Sequence, residues 1–236
     1  MESYPPSPPR SSPRERRLAP LNPLTLAVAA VLLAAGGVLG WSMRYSAPTA
    51  QAAPEAVRAA LDLEQLHPAR VCSAAGDQLL RDTALRGDAR DAARVSDYLP
   101  EKSPIPGYEK VRAGELEAAG DTDYLPGAVE GHVAEFRPDG DGGFDVYAYR
   151  FLTRPAAAES LASEIAQRVC RDGATVLAAR GRPGMLVLRD AARGQWLSAW
   201  WLTRADVVVV RYGGWGDADA DLANLAAVAG ATAAQE

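Results

Sequence analysis

One apolar run dominates the pattern of the chain. From Leu18 to Met43 there is no Asp, Glu, Lys or Arg, and residues 24–43, LTLAVAAVLLAAGGVLGWSM, are 20 residues long. At about 1.5 Å per residue a helix of that length spans roughly 30 Å, the thickness of a bilayer's hydrocarbon core. The pattern therefore predicts a transmembrane helix over residues 24–43, in contact with the lipid bilayer. Asn22 can cap its first turn and Pro23 suits the first helical position. Trp41 and Tyr45 have the amphipathic rings that favour the membrane interface. Arg10, Arg14, Arg16 and Arg17 precede the run, whereas Arg44 is the only basic residue in the dozen that follow it. The positive-inside rule puts the N-terminus in the cytoplasm and the rest outside. A cleavable export signal is the competing reading, with Ala50-Gln51-Ala52 as an A-x-A site and Arg16-Arg17 as a degenerate twin arginine. The run is longer than a usual signal core and follows a Pro-rich tail, which favours a retained signal-anchor. Both readings export the same domain.

Beyond the run the periodicity changes twice. Val57, Ala60, Leu61, Leu63 and Leu66 make a helical stripe that ends at His67-Pro68. Val71, Cys72, Ala75, Leu79 and Leu80 repeat it over residues 69–85, and residues 87–97 are a short, weakly amphipathic candidate. Prolines 100, 104, 106 and 126 then punctuate an irregular connection over residues 99–127. From Gly131 the pattern is that of strands. Residues 133–137 and 144–152 flank the turn ProAspGlyAspGlyGly, a hairpin signal. An amphipathic helix follows Pro155, with Leu161, Ile165, Ala166, Val169 and Cys170 on one side. Four strands are predicted at 175–179, 185–189, 196–203 and 207–212, and a last helix at 217–228. This order implies an α+β domain, an antiparallel sheet with helices on one face, preceded by one transmembrane helix and a helical N-terminal segment. The chain divides into a disordered cytoplasmic tail (1–23), the transmembrane helix (24–43), a linker (44–54) and an extracytoplasmic α+β domain (55–236).

Charge narrows the partners. The formal net charge is −5, and the basic tail and Arg44 leave −8 for the exported part. So acidic a domain is a poor match for nucleic acid. Gly36 and Gly40 form a G-x-x-x-G, the spacing of a helix-mediated dimer, although an Ala/Gly-rich span produces it by chance. The only cysteines, Cys72 and Cys170, fall outside the membrane, where two isolated cysteines most simply pair with each other; two buried free thiols are the alternative.

No sequence signature of catalysis is found: no G-x-S-x-G, Ser-x-x-Lys, P-loop or dinucleotide fingerprint. Asp139 and Asp141 in DGDGG, and Asp217, Asp219 and Asp221 in GDADAD, lack the full calcium-loop pattern and read more simply as a turn and a helix N-terminus. His67 and His132 stand far apart. The expectation is a non-enzymatic chain with no metal and no cofactor. The suggestive feature is aromatic: Trp196, Trp200, Trp201, Tyr212 and Trp215 lie within twenty residues. Period two puts Trp196 and Trp200 on one sheet face and Trp201 on the other, so one face is core. The other, if uncovered, makes an aromatic platform flanked by Arg150 and Arg211 for an envelope ligand or protein partner. The alternative is that these rings fill a sheet–helix interface.

From about Gly131 to Gly230, the strand ending FDVYAYRFLTRPAAA, the helix closing on VCRDG, the strands GMLVLRD and QWLSAWWLT, and VVVVRYGGW before a helix resemble an exported sensor-type domain. Such domains occur on receptor-like serine/threonine kinases of high-GC bacteria and on related single-pass proteins and lipoproteins. The resemblance implies a ligand-sensing or binding module. The chain differs from that pattern in having two cysteines rather than more, and a short tail rather than a kinase domain before the apolar run. The expected function is a membrane-anchored, sensor-like binding protein, with an accessory subunit of an envelope or secretion complex as the alternative.

Overall fold

The computed structural model describes residues 54–87, 94–117, 121, 123–140, 142–190, 195–213 and 218–233. The tail 1–23, the apolar segment 24–43 with Gly36 and Gly40, residues 44–53 of the linker, Asp141, Trp215 and Asp217 lie outside the described residues. Among the described residues no helix is long and apolar enough to cross a membrane.

Alternation along the strands decides the architecture. In β4 (Gly143–Arg150), Phe144, Val146 and Ala148 belong to one apolar cluster while Tyr147 and Tyr149 belong to another. β8 (Asp206–Gly213) repeats the division, with Val207 and Val209 on one side and Val208 and Val210 on the other. A strand apolar on both sides must be covered on both sides. With β1 (Leu63–Gln65), β2 (Tyr108–Glu115), β3 (Glu130–Pro138), β5 (Ala174–Ala179), β6 (Leu186–Asp190) and β7 (Trp196–Thr203) they form one antiparallel sheet in the order β1-β5-β6-β7-β8-β4-β3-β2.

Helices cover both faces. α1 (Pro54–Leu61) and α5 (Ala218–Ala233) lie on the face of Trp201, Val208 and Phe144, together with a 3₁₀ turn, Val95–Tyr98. α2 (Pro68–Val71), α3 (Gly76–Ala84) and α4 (Arg154–Cys170) lie on the face of Trp200, Val209 and Tyr147. The α+β class and the antiparallel sheet are as expected; helices on one face only is corrected to helices on both. The reason lies in runs such as Val207–Val210, which carry no polar position to leave in water.

Three local departures have physical causes. The first predicted helix stops at Leu61 because Asp62 takes a left-handed φ of 44°, after which β1 pairs with β5. The predicted helix 69–85 is split. At Gly76 a Cβ would fall 1.6 Å from the Val71 carbonyl oxygen, so the chain can fold back there only without a side chain. His67 caps α2, its Nδ1 accepting from the Ala69 N–H. β2 lies inside the predicted irregular connection; nearly all of it is exposed, so no burial pattern marked it.

Cys72 and Cys170 are disulfide-bonded across a separation of 98 residues, with Cα atoms 5.6 Å apart. Cys72 follows α2 and Cys170 ends α4, so the bridge fastens the helical first part to the sheet's main covering helix. α4 is itself set by Thr153, whose side chain accepts from the Ala156 N–H, and by burial of Leu161, Ile165 and Val169. Because the closed loop is long, replacing both cysteines by alanine is expected to remove about 3 to 5 kcal/mol of stability. Urea unfolding of the double variant measures this, and an unchanged midpoint would contradict it.

Candidate functional site

Register brings five polar side chains into one line across the sheet. Arg112 pairs with Glu135, Glu135 with Asp145, Asp145 with Arg211 and Arg211 with Ser198, across β2, β3, β4, β8 and β7. One step inward on the same face the line is Val133, Tyr147, Val209 and Trp200, all buried. The sheet's apolar face therefore ends in a charged border. Arg137 folds back onto that border, donating from Nη1 to Asp145 at 2.6 Å and to the Phe136 carbonyl at 2.9 Å. Its path crosses Gly143, where a Cβ would sit 2.6 Å from Arg137 Cδ and where φ is 153°. Glycine is needed there for both space and backbone. Burial pushes the Asp145 carboxyl up from its ordinary value, and the Arg137 hydrogen bond opposes this only in part.

Arg211 is held from two sides. Its guanidinium lies over the Tyr147 ring, 4.6 Å from the centroid, and its Nη1 donates to Asp123. Asp123 also receives the Tyr147 hydroxyl at 3.3 Å, and its carbonyl receives the Tyr149 hydroxyl at 2.6 Å. The segment before β3 is thus tied onto β4 and β8 by one residue and three bonds. Burial raises the pKa of both tyrosines above the ordinary phenol value. The Nε of Arg211 is buried and has no acceptor among the described residues.

α4 closes the arrangement. Arg168 donates to Glu164 one turn earlier and lies over the Trp200 ring, 5.6 Å from its centroid. Trp200 donates its indole N–H to Ser198 Oγ at 2.7 Å, so that hydroxyl is engaged with an indole and not with a base. Between helix and sheet end is a cleft of about 420 Å³, with Arg137, Arg168, Arg211 and Asp145 as its charged lining and Leu197, Ser198, Tyr212 and three glycines completing it. Such a volume suits a small ligand, and the chemistry assembled is recognition of negative charge by planar donors.

The residues singled out from sequence are divided by this geometry. Arg211 and Tyr212 line the cleft, and Trp200 supports Arg168 from beneath while itself fully buried. Trp201 is on the opposite face under Arg182, 4.9 Å from the ring centroid. Arg150 is five residues from Asp145 along β4, about 17 Å at ~3.4 Å per residue; there it makes a two-pronged bond to buried Asp206. Trp196 belongs to β7, but its side chain, like all of Trp215, lies outside the description. The open aromatic platform is thus replaced, for Trp200 and Trp201, by two covered faces. Arg137, Asp145, Arg168 and Asp123 were not anticipated. Single charges inside apolar runs, as in FDVYAYR and VVVVRY, were the available signal for Asp145 and Arg211. Nothing in the sequence marked Asp123.

His132 pairs with Glu130 at 2.9 Å, outside this cleft. Among the described residues no three His, Cys, Asp or Glu side chains converge on a metal position. Comparison with protein-family models, with curated proteins and with solved structures finds no match.

The buried phenols give the site a pH dependence of definite sign. Burial raises the pKa of Tyr147, Tyr149 and Tyr212 in the folded state from 10.0. Their contribution is complete below about pH 10 and is lost as pH rises toward the folded values. Tyrosinate absorbance of these rings is expected to appear together with loss of circular dichroism. Full ionisation of all phenols with the fold intact would contradict it.

Proposed function

We propose that the protein is a single-pass, membrane-anchored extracytoplasmic binding protein of the sensor-like kind, and not an enzyme. The observation that carries the reading is the Cys72–Cys170 bridge in a domain that follows a 20-residue apolar run. Structural disulfides persist in oxidising compartments, and the charge difference across residues 24–43 orients the chain so that the domain reaches one. The cleft between α4 and the β4–β8–β7 end of the sheet supports a binding role. It is concave, and its arginines are held by carboxylates and aromatic rings rather than left to wander. The likeness of residues 131–230 to sensor-type domains agrees with that role.

The alternative, an accessory subunit of an envelope or secretion complex, draws on the edge strand β2, where Val111 is 58 % exposed. That edge carries a bulge between Lys110 and Arg112 and alternates Glu109, Lys110 and Arg112. Bulges and charges are how edges are kept from pairing. The edge therefore favours the first reading.

Topology reporters test the proposal in the living cell. Alkaline phosphatase fused to the C-terminus is expected to be active, and the domain is expected to remain with the membrane fraction at full length. A fusion active only as a cytoplasmic fluorescent reporter would overturn it, and release of the domain into the soluble envelope fraction would replace the anchor with a cleaved signal.

A further inference from the structure

We infer that the cleft bounded by Arg137, Arg168 and Arg211 binds a phosphate group carried by a small organic ligand. The inference deepens the binding role proposed above by naming the ligand's chemistry, and it rests on that reading for the compartment in which the ligand is met.

Charge is the first observation. The domain as a whole is acidic, yet the lining of this cleft holds three guanidiniums against the single carboxylate of Asp145. Each of the three is also paired with a carboxylate, Asp145, Glu164 or Asp123, so what the cleft offers an anion is the donors left over from those pairs rather than a surplus of positive charge. Fixed donor geometry is the second. Arg137 is anchored by Asp145 and two backbone carbonyls, Arg168 by Glu164 over Trp200, and Arg211 by Asp123 over Tyr147. Each guanidinium has five N–H donors in a planar fork, so those anchors engage only part of each. The third is Arg211 Nε, a buried donor with no acceptor among the described residues. Buried donors are normally paired, and in this reading an oxygen of the ligand is what pairs it.

Shape selects phosphate over carboxylate. A carboxylate presents two oxygens to one fork, whereas the terminal phosphate of a monoester presents three, which suits forks arriving from β3, β8 and α4. Gly213, paired with Gly143 across β4 and β8, leaves bare backbone at the cleft that admits an oxygen closely. Leu197 lines the same cleft and supplies apolar surface for the ligand's organic part. Recognition by arginine alone, with no metal needed, would make binding sensitive to salt.

Isothermal titration of the full chain in a neutral detergent at low salt tests this, with inorganic phosphate, sodium acetate and the soluble phosphate-monoester lipid dihexanoyl phosphatidic acid as separate titrants. Phosphate is expected to bind at one site, more tightly than acetate, and to weaken as salt is raised. Arg168→Gln, on a part-exposed helix position where folding is not at risk, and Arg137→Gln are each expected to weaken it about tenfold or more. Tighter binding of the lipid than of phosphate would identify a lipid headgroup as the source of the same group. Acetate binding as well as phosphate, absence of heat from both phosphate titrants, or equal binding by the Arg168→Gln variant would overturn the inference. The first would mean an unselective cation patch, the second that Arg211 Nε is satisfied by water. None of these outcomes bears on the topology reporters, so failure of the ligand class and failure of the export reading are told apart.

Discussion

A guanidinium held against the face of a tyrosine in the middle of a sheet is the interaction on which the rest depends. Arg211 sits on β8, between β4 and β7, where neighbouring positions on its face are Val209 and Val207. A charge there is tolerable only if it is paired, and Asp123 together with the Tyr147 ring provides the pairing. The same three residues fix the loop before β3 over the sheet. α4 and the strand ends then define the cleft walls. A cation that would be a defect in an ordinary strand becomes the point where loop, sheet and ligand surface meet.

The second constraint is that the sheet is apolar on both faces. Trp200 and Trp201 are consecutive and both buried, one under α4 and the other under Arg182 and α5. With both faces occupied, recognition surface is left to the sheet's ends and edges, and the cleft is at an end. The disulfide acts on the same architecture. By joining the residue after α2 to the end of α4, it holds the covering layer to the helix that carries Arg168, two residues before Cys170.

Much of this was legible in the chain. Periodicity located the β3–β4 hairpin, the α4 helix, the last four strands and the closing helix, because each has a buried side that repeats at its own period. What it missed had no buried side or no local cause. β2 is an exposed edge, the break before Gly76 follows from the chain folding back on its own backbone, and β1 is three residues recruited by pairing with β5. The two-faced burial was half visible in VVVVRY and in the adjacent tryptophans. The site was less legible still, since Arg137 reaches Asp145 through a cross-strand register and Asp123 reaches Arg211 over 88 residues. Such partners are set by tertiary structure, and a sequence shows them only as unexplained charges in apolar surroundings.

Arg211 Nε–H is buried with no acceptor among the described residues, on a side chain that lines the cleft. Arginine side-chain nitrogen NMR reads it directly. One sharp Nε–H resonance, assigned by Arg211→Lys, is expected to exchange slowly with water and to move when inorganic phosphate is added. An Arg211 resonance that exchanges as fast as those of exposed arginines, and does not respond to phosphate, would contradict it.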